Sequence, residues 1–177
     1  MKVLVAGVGY TNLRDMSVGP LLAERLAAET WPADVQVRDL GYGAVHVAHD
    51  LQDLQDTDPV ERLVLFGAVA RGRRAGSVTC YRWDGVLPDP DDIQAQVAEA
   101  VTGTISLDGL LIVGRQFGAL PDDVVVVEVE PEDDSWGPAC SPVVETALTE
   151  VAEVVRRIAL QERPALPTLP LGGTAQL

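Results

Sequence analysis

Residues 1–27 read MKVLVAGVGYTNLRDMSVGPLLAERLA and place a strand, a glycine-rich loop and a helix in direct succession. The apolar run from Lys2 to Ala6 ends at a glycine, which is typical of a short buried β-strand. From Val18 onward apolar residues recur at helical spacing, and Pro20 suits the first turn of that helix because its missing N–H costs no hydrogen bond there. The loop between the two, Gly7 to Gly19, is our first candidate for a functional site.

Strand and helix patterns alternate along the rest of the chain. Strands are predicted at 35–37, 63–67, 77–83 and 124–129, and helices at about 44–54, 91–100, 107–117 and from Pro142, with Ser141 as the N-cap of the last helix. This order predicts an α/β three-layer sandwich, with a mostly parallel twisted sheet covered by helices on both faces. Polar alternation places the 77–83 strand at an edge. We expect one domain over residues 1–162 and an extended or disordered Pro/Gly-rich tail over 163–177.

Composition narrows the class of protein. The chain has 177 residues, 47% of them hydrophobic, and a formal net charge of −14. Such an acidic surface repels phosphates and anionic lipids, so we expect neither nucleic acid nor membrane as a partner. Two cysteines do not make a disulfide framework, and the short start of the chain does not resemble a signal peptide, so a cytoplasmic location is expected. The basic cluster Arg71 to Arg74 is expected to be a solvated loop.

In open α/β sheets ligands meet the loops at the carboxyl ends of the strands. The first such loop, Gly7-Val8-Gly9-Tyr10-Thr11-Asn12, partly matches a dinucleotide fingerprint. However, asparagine stands where the third glycine belongs, and the following helix starts several residues too late to receive a phosphate. A nucleotide or other small molecule is therefore the least favoured of three hypotheses.

The first loop resembles another motif more closely. Gly7-Val8-Gly9, Leu13, Asp15 and Val18-Gly19 resemble the opening of the hydrogenase maturation proteases, although Tyr10 replaces the usual asparagine. These endopeptidases trim the C-terminus of a nickel–iron hydrogenase large subunit after nickel insertion. The resemblance continues to about Ile158 through four further parts of the chain. They are Asp39-Leu40-Gly41; 63–69 with 75–78; 107–111 with 118–121 and 124–129; and Glu130-Pro131 with Trp136-Gly137 and Ser141-Pro142-Val143-Val144. It implies the family's α/β fold and a peptidase ancestry.

The resemblance also implies where a metal would be held. The family uses an acid in the first loop, an aspartate ending the third strand and a histidine before a later helix, a donor set that suits nickel. The matching positions here are Met16, Gly67 and Gly103. All three ligands are replaced, so we expect no metal cofactor and no catalytic residue, although the family would recognise nickel. Asp15, one residue from the first position, is expected to be structural.

Other residues could supply chemistry in principle. His46 and His49, with Asp50, could form a small metal site on the second helix, although surface positions of this kind more often have no such role. Cys80 is expected to be an ordinary semi-buried cysteine rather than a reactive thiol. The acidic runs at 89–92 and 130–134 are expected to be solvated loops or helix starts.

Two functions follow from the resemblance, in order of preference, and both rank above the nucleotide or small-molecule hypothesis. The first is a non-catalytic peptide- or partner-binding assembly protein for a nickel–iron hydrogenase, acting on the large subunit or its C-terminal peptide. The alternative is an active metal-dependent endopeptidase with ligands relocated to Asp15, His46 or Asp39. In the first hypothesis Gly67 and Gly103 widen a cleft that Tyr10 and Met16 make more apolar. The full set expected to line it is Gly9, Tyr10, Asn12, Asp15, Met16, Asp39, Gly41, Tyr42, Gly67 and Gly103.

Overall fold

The computed structural model describes residues 1–103 and 105–173. Within them the elements in chain order are β1 (Val3–Gly7), a 3-10 turn (Arg14–Ser17), α1 (Val18–Ala27), β2 (Val35–Asp39), α2 (Ala44–Thr57), β3 (Arg62–Ala68), β4 (Val78–Trp83), α3 (Pro90–Val101), α4 (Leu107–Gln116), β5 (Asp123–Val129), α5 (Pro142–Leu160) and β6 (Thr168–Leu169). No helix in these ranges is long and apolar enough to cross a membrane.

The strands form a six-stranded sheet in the order β2-β1-β3-β5-β4-β6. β1 runs parallel to β2 and to β3, and β3 runs parallel to β5, whereas β4 is antiparallel to β5. The carboxyl ends of β1, β3 and β5 therefore lie together at one edge of the sheet. This arrangement confirms the predicted α/β fold with a mostly parallel sheet.

Each face of the sheet carries its own hydrophobic core. Strand side chains alternate between the faces, so Val5, Val64 and Val125 pack beneath α1 and α5. Leu4, Leu63 and Val124 point the other way and pack beneath α2, α3 and α4. The predicted apolar stripe of α5 is confirmed, because every member is buried: Val144, Leu148, Val151, Val154, Val155 and Ile158.

The prediction that the 77–83 strand lies at the edge is wrong. β4 lies between β5 and the two-residue β6 of the tail. The backbone N–H of Arg82 donates to the Pro167 carbonyl at 2.9 Å, and that of Asp84 donates to the Leu169 carbonyl at 3.0 Å. Part of the tail that was predicted to be extended or disordered therefore pairs with β4 as a strand. The last residues of this predicted tail, 174–177, lie outside the described residues.

Arg62 joins the start of β3 to the end of α5. Its side chain is 3% exposed and Nε donates to Asp123 Oδ2 at 2.6 Å. Its two Nη groups donate to the carbonyls of Ile158, Gln161 and Glu162, which lie at the end of the helix where carbonyls lack intrahelical partners. Burial would raise the pKa of Asp123, but hydrogen bonds from Arg82 and Arg62 outweigh it and hold that pKa below its usual value.

We expect Arg62→Met to lower the free energy of unfolding by about 3 kcal/mol, because it leaves the buried Ile158 carbonyl and the partly buried carbonyls of Gln161 and Glu162 without this donor. Arg82→Met is the matched control, since Arg82 donates to the same carboxylate but is more exposed, and it should cost less than about 1 kcal/mol. Urea denaturation of both variants measures the difference. Equal losses would contradict the capping role of Arg62.

Candidate functional site

The first loop is closed on itself by backbone hydrogen bonds. The N–H of Tyr10 donates to the Met16 carbonyl at 3.0 Å, and the N–H of Met16 donates to the Leu13 carbonyl at 3.0 Å. A Cβ at Gly9 would lie 2.3 Å from the Met16 carbonyl oxygen, so this closure needs glycine there. The loop is a compact turn rather than an open cradle for a phosphate.

Asp15 anchors this loop to the segment before α5. Its side chain is 0% exposed. Oδ1 accepts from the Ser141 N–H at 2.6 Å, and Oδ2 accepts from the N–H groups of Glu132 (2.8 Å) and Asp133 (2.9 Å) and from the Ser141 hydroxyl (2.8 Å). Four donors thus surround the carboxylate, which has a structural role.

Ser141 holds the predicted N-cap position, but the predicted capping bond is absent. Its hydroxyl donates to Asp15 instead of accepting from the first turn of α5. A hydroxyl bonded to a buried carboxylate makes a charge-assisted hydrogen bond, which is stronger than a neutral cap. Ser141 therefore occupies the predicted N-cap position, but its hydroxyl bonds to Asp15 rather than to the first turn of α5.

The three positions matched to metal ligands have different surroundings. Met16 is half-buried against the core beneath α1 and α5. A Cβ at Gly67 would lie 2.4 Å from the Val8 carbonyl oxygen and 3.6 Å from Leu107 Cδ1 on the opposite face. The expectation that Gly67 widens a cleft is therefore wrong, because the neighbouring backbone takes the space. Gly103 has a φ of +87° and has nothing within 4 Å of a Cβ position, so there the space is open.

Tyr10 bridges the first loop and the segment before α4. Its ring packs against the core beneath α2 and α4. Its hydroxyl accepts a hydrogen bond from the Ile105 N–H at 3.0 Å. The residue that departs from the family motif therefore ties the loop to the segment that follows Gly103.

The remaining predicted cleft residues lie in the first loop, at the end of β2 and in the turn that leads to α2. Asn12 and Asp39 line a groove of about 420 Å³ between α1, β2 and the first loop. Gly41 donates its N–H to Asp39 Oδ1 at 2.9 Å, and a Cβ there would lie 2.6 Å from the Gly9 carbonyl. Tyr42 donates its hydroxyl to Asp50 at 2.6 Å, and burial together with this bond raises the pKa of Tyr42 to about 12. The structure therefore brings Gly9, Met16 and Gly41 close together, whereas Tyr42 is exposed beside Asp50.

Sequence reasoning missed a buried ion cluster at the carboxyl end of β5, which we call the Glu128 cluster: Arg71, Arg73, Tyr81, Asp108 and Glu128. Glu128 is 0% exposed and accepts from Arg71 at 2.7 Å, from Arg73 at 2.8 Å and from the Tyr81 hydroxyl at 2.8 Å. Arg71 also makes a two-bond pair with Asp108, both bonds 2.7 Å long. Burial would raise the pKa of Glu128, but the bonds from Arg71 and Arg73 lower it overall.

The expectation that Arg71 to Arg74 form a solvated loop is therefore wrong for Arg71 and Arg73. The same holds for Glu130 in the second acidic run, because it is 4% exposed and accepts from the backbone N–H groups of Arg71 (2.9 Å) and Gly72 (3.0 Å). These partners are more than 50 residues apart, which no local pattern reports. The sequence does contain one signal of this cluster, the single glutamate within the valine run 124–129. A buried ionised side chain requires a partner, so this glutamate indicates a cation nearby in the fold.

Nickel chemistry does not fit the residues at these positions. Among the described residues, no group of three or more His, Cys, Asp or Glu side chains is placed to hold a metal ion. Asp15 is enclosed by four donors and Glu128 by two arginines, so neither carboxylate is available as a ligand. His46 and His49 are exposed on α2.

Neither cysteine offers a thiolate nucleophile. Cys80 is 1% exposed, and burial raises its pKa to about 11. Cys140 is half-buried with a pKa also raised to about 11, by burial first and then by Asp15 and Glu145. Both thiols stay protonated at neutral pH, which agrees with an ordinary cysteine at position 80.

We expect Glu128→Gln to lower the free energy of unfolding at pH 7 by about 3 kcal/mol, because it removes the anion that two buried guanidinium groups share. The pKa of Glu128 is lowered in the folded state, so acid favours the unfolded chain. The contribution of Glu128 is complete above its ordinary pKa of about 4.5 and is lost as the pH falls through the lower, folded-state value.

The variant should consequently lose less stability than the parent protein when the pH is lowered from about 5 to about 3. Urea denaturation across this range measures the difference. Glu99→Gln, the same change at an exposed position of α3, serves as the control and should follow the parent protein. Parallel pH profiles for Glu128→Gln and the parent would contradict the assignment.

Gly67→Ala should lower the free energy of unfolding by about 3 kcal/mol, because the added Cβ would overlap the Val8 carbonyl. Gly103→Ala places an alanine at a positive φ, but its Cβ meets no neighbouring atom. This substitution should therefore lower the free energy of unfolding by only about 1 kcal/mol. Thermal unfolding of the two variants distinguishes a closed position from an open one. A larger loss for Gly103→Ala would show that the two positions have been described the wrong way round.

Comparisons with known proteins agree with this architecture. No protein-family model matches the sequence, and no curated protein matches it significantly. Solved structures do match: the hydrogenase maturating endopeptidase HybD from Escherichia coli has a TM-score of 0.66 at 24% identity, over 89% of this chain and 91% of that one. A hydrogenase 2 maturation peptidase from a Thaumarchaeota archaeon has a TM-score of 0.61 at 24% identity, over 91% of this chain and 100% of that one.

A third structure, the [NiFe] hydrogenase maturation protease HycI from Thermococcus kodakarensis, gives a TM-score of 0.64 at 17% identity, over 90% of this chain and 93% of that one. These likenesses cover nearly the whole of each chain. At such identities they establish architecture, whereas activity depends on the residues of the site. The chain has the fold of the hydrogenase maturation peptidases, as the resemblance of its motifs predicted.

Proposed function

We propose that this chain is a relative of the hydrogenase maturation proteases that binds a nickel–iron hydrogenase large subunit, or its C-terminal peptide, without cleaving it. The shared fold and the order of the motifs from Gly7-Val8-Gly9 to Ser141-Pro142 support the lineage. The observation that carries the loss of cleavage is the overlap at Gly67. No acidic side chain can be accommodated there while the Val8 carbonyl keeps its place.

The neighbouring acid does not replace the missing one. Glu128 lies directly opposite Gly67 in the parallel pairing of β3 with β5. Its carboxylate oxygens are engaged by Arg71, Arg73 and Tyr81, and a cation would have to displace these partners. Breaking a buried, paired charge costs several kcal/mol, so this carboxylate is a poor metal ligand.

The contacts of Tyr10, which join the first loop to the segment before α4, also support the loss of cleavage. Its hydroxyl holds the Ile105 N–H, and its ring packs into the core beneath α2 and α4. The first loop is therefore fastened to the segment in which the family carries its histidine. A protein built in this way retains the surface of the first loop and lacks the reactive centre behind it.

One observation favours the alternative, an endopeptidase with relocated ligands. A Cβ at Gly43 would lie 3.7 Å from His46 Nδ1 and 4.0 Å from the Gly103 Cα, so an imidazole lies near the position of the family's histidine. However, of the two acids suggested with it, Asp15 is enclosed by four donors, and Asp39 already accepts the Gly41 N–H on Oδ1. The binding protein is the better supported of the two.

The proposal is tested with a nickel-loaded nickel–iron hydrogenase large-subunit precursor. We expect equimolar mixtures to co-elute in gel filtration while intact-mass spectrometry shows an unshortened precursor. Shortening of the precursor would overturn the proposal, and its loss in His46→Ala would assign cleavage to the relocated-ligand alternative. Failure to co-elute at micromolar concentrations would overturn binding to this partner.

A further inference from the structure

The outer side of β2 is a free sheet edge among the described residues. β2 ends the sheet, whereas β4 near the opposite end is covered by β6. The Asp34 carbonyl accepts from the Val3 N–H at 2.8 Å, and the Leu40 N–H donates to the Gly7 carbonyl at 2.9 Å, so both residues turn their backbone toward β1. Since successive residues alternate, the N–H and carbonyl of Val37 point away from β1, toward solvent.

A groove lies beside this edge on the face covered by α1. Its volume is about 420 Å³, and its apolar wall includes Pro20, Ala23, Ala27, Val37 and Pro138. Val37 is half-buried and packs against the core on the same face. A strand added to β2 would therefore place every second side chain in the groove.

Carboxylates flank both faces of β2. Glu24 and Asp39 line the groove, and Asp50, Asp53 and Asp56 of α2 line a second depression on the other face. None of these five acids takes part in an ion pair among the described residues, and Arg38 is the cation that lines both depressions. The excess negative charge complements a cationic partner, in line with the net charge of −14.

We propose that the free edge of β2 binds an extended segment of a partner protein in which apolar and cationic side chains alternate. The backbone of the segment pairs with Val37, its apolar side chains enter the groove, and its cationic side chains face Asp50, Asp53 and Asp56. The proposal rests on the proposed function in that the chain acts by binding a protein partner. It specifies the surface and the chemistry of the segment.

The probe is an acetylated and amidated octapeptide of alternating valine and lysine, titrated calorimetrically into the whole chain. We expect binding, no binding of the same peptide with glutamate for lysine, and about tenfold weaker binding when the valine nitrogens are methylated, because methylation removes backbone donors. Amide exchange at Val37 should slow in the complex. Equal binding of the lysine and glutamate peptides, or of the methylated and unmethylated ones, would overturn the proposal.

Val37→Lys should lower the affinity of the lysine peptide by about tenfold, because the longer side chain fills the groove and its positive charge repels the lysines. Val101→Lys is the matched control, because it makes the same change at a side chain that is 73% exposed on α3, and it should bind as the parent does. A circular dichroism spectrum confirms that both variants are folded. Equal effects of the two substitutions would overturn the site.

The two proposals can fail separately. If the large-subunit precursor binds the parent protein and Val37→Lys equally well, the β2 edge is overturned and the proposed function stands. If the lysine peptide behaves as expected while the precursor does not bind, the edge stands and the hydrogenase partner is overturned.

Discussion

Glu128 carries a negative charge in the middle of the sheet with no exposed surface, and the cost of burying that charge determines how the surrounding segments are arranged. The loop after β3 turns inward to supply Arg71 and Arg73. Arg71 then fixes the start of α4 through Asp108, and Arg73 donates to the carbonyl of Gly173 in the tail. One buried carboxylate thereby connects β5, α4, the loop after β3 and the end of the described chain.

This cluster and the first loop surround Gly67, the position that the resemblance matches to a metal-binding aspartate. Gly67 lies opposite Glu128 and against the Val8 carbonyl, so the position where the family carries an aspartate has neither a side chain nor room for one. Asp15 retains an acid in the first loop, but four donors commit it to holding the segment before α5. Asp15 and Glu128 are thus both held by structural contacts, and the open groove of this part of the molecule lies beside β2.

Sequence predicted the architecture well because its elements are strongly patterned. The buried strands at 3–7, 62–68 and 123–129 and the apolar stripe of α5 follow local periodicity, which the core enforces. The same reasoning placed the 77–83 strand at the edge, because Thr79 and Arg82 are polar. Their partners, Arg73 and Asp123, come from other parts of the chain and are invisible to periodicity.

The site was predicted less well for the same reason. The sequence shows which residues, Met16, Gly67 and Gly103, stand at the positions that the resemblance matches to metal ligands, but it does not show the space around them. Whether a glycine opens a cleft or admits a neighbouring backbone depends on long-range packing, and the two glycines differ in this respect. In the Glu128 cluster, Arg71 contacts Glu128, which is 57 positions away in the sequence, and Asp108, which is 37 positions away. No local motif reports contacts between residues so far apart.

Among the described residues, no group of side chains at the positions matched to metal ligands, or beside His46, is placed to hold a metal ion. Calorimetric titration of nickel(II) into the whole chain tests this most directly, with His46→Ala as the companion variant. We expect no stoichiometric binding at micromolar metal in either protein. A one-to-one micromolar site in the parent protein that disappears in His46→Ala would contradict it.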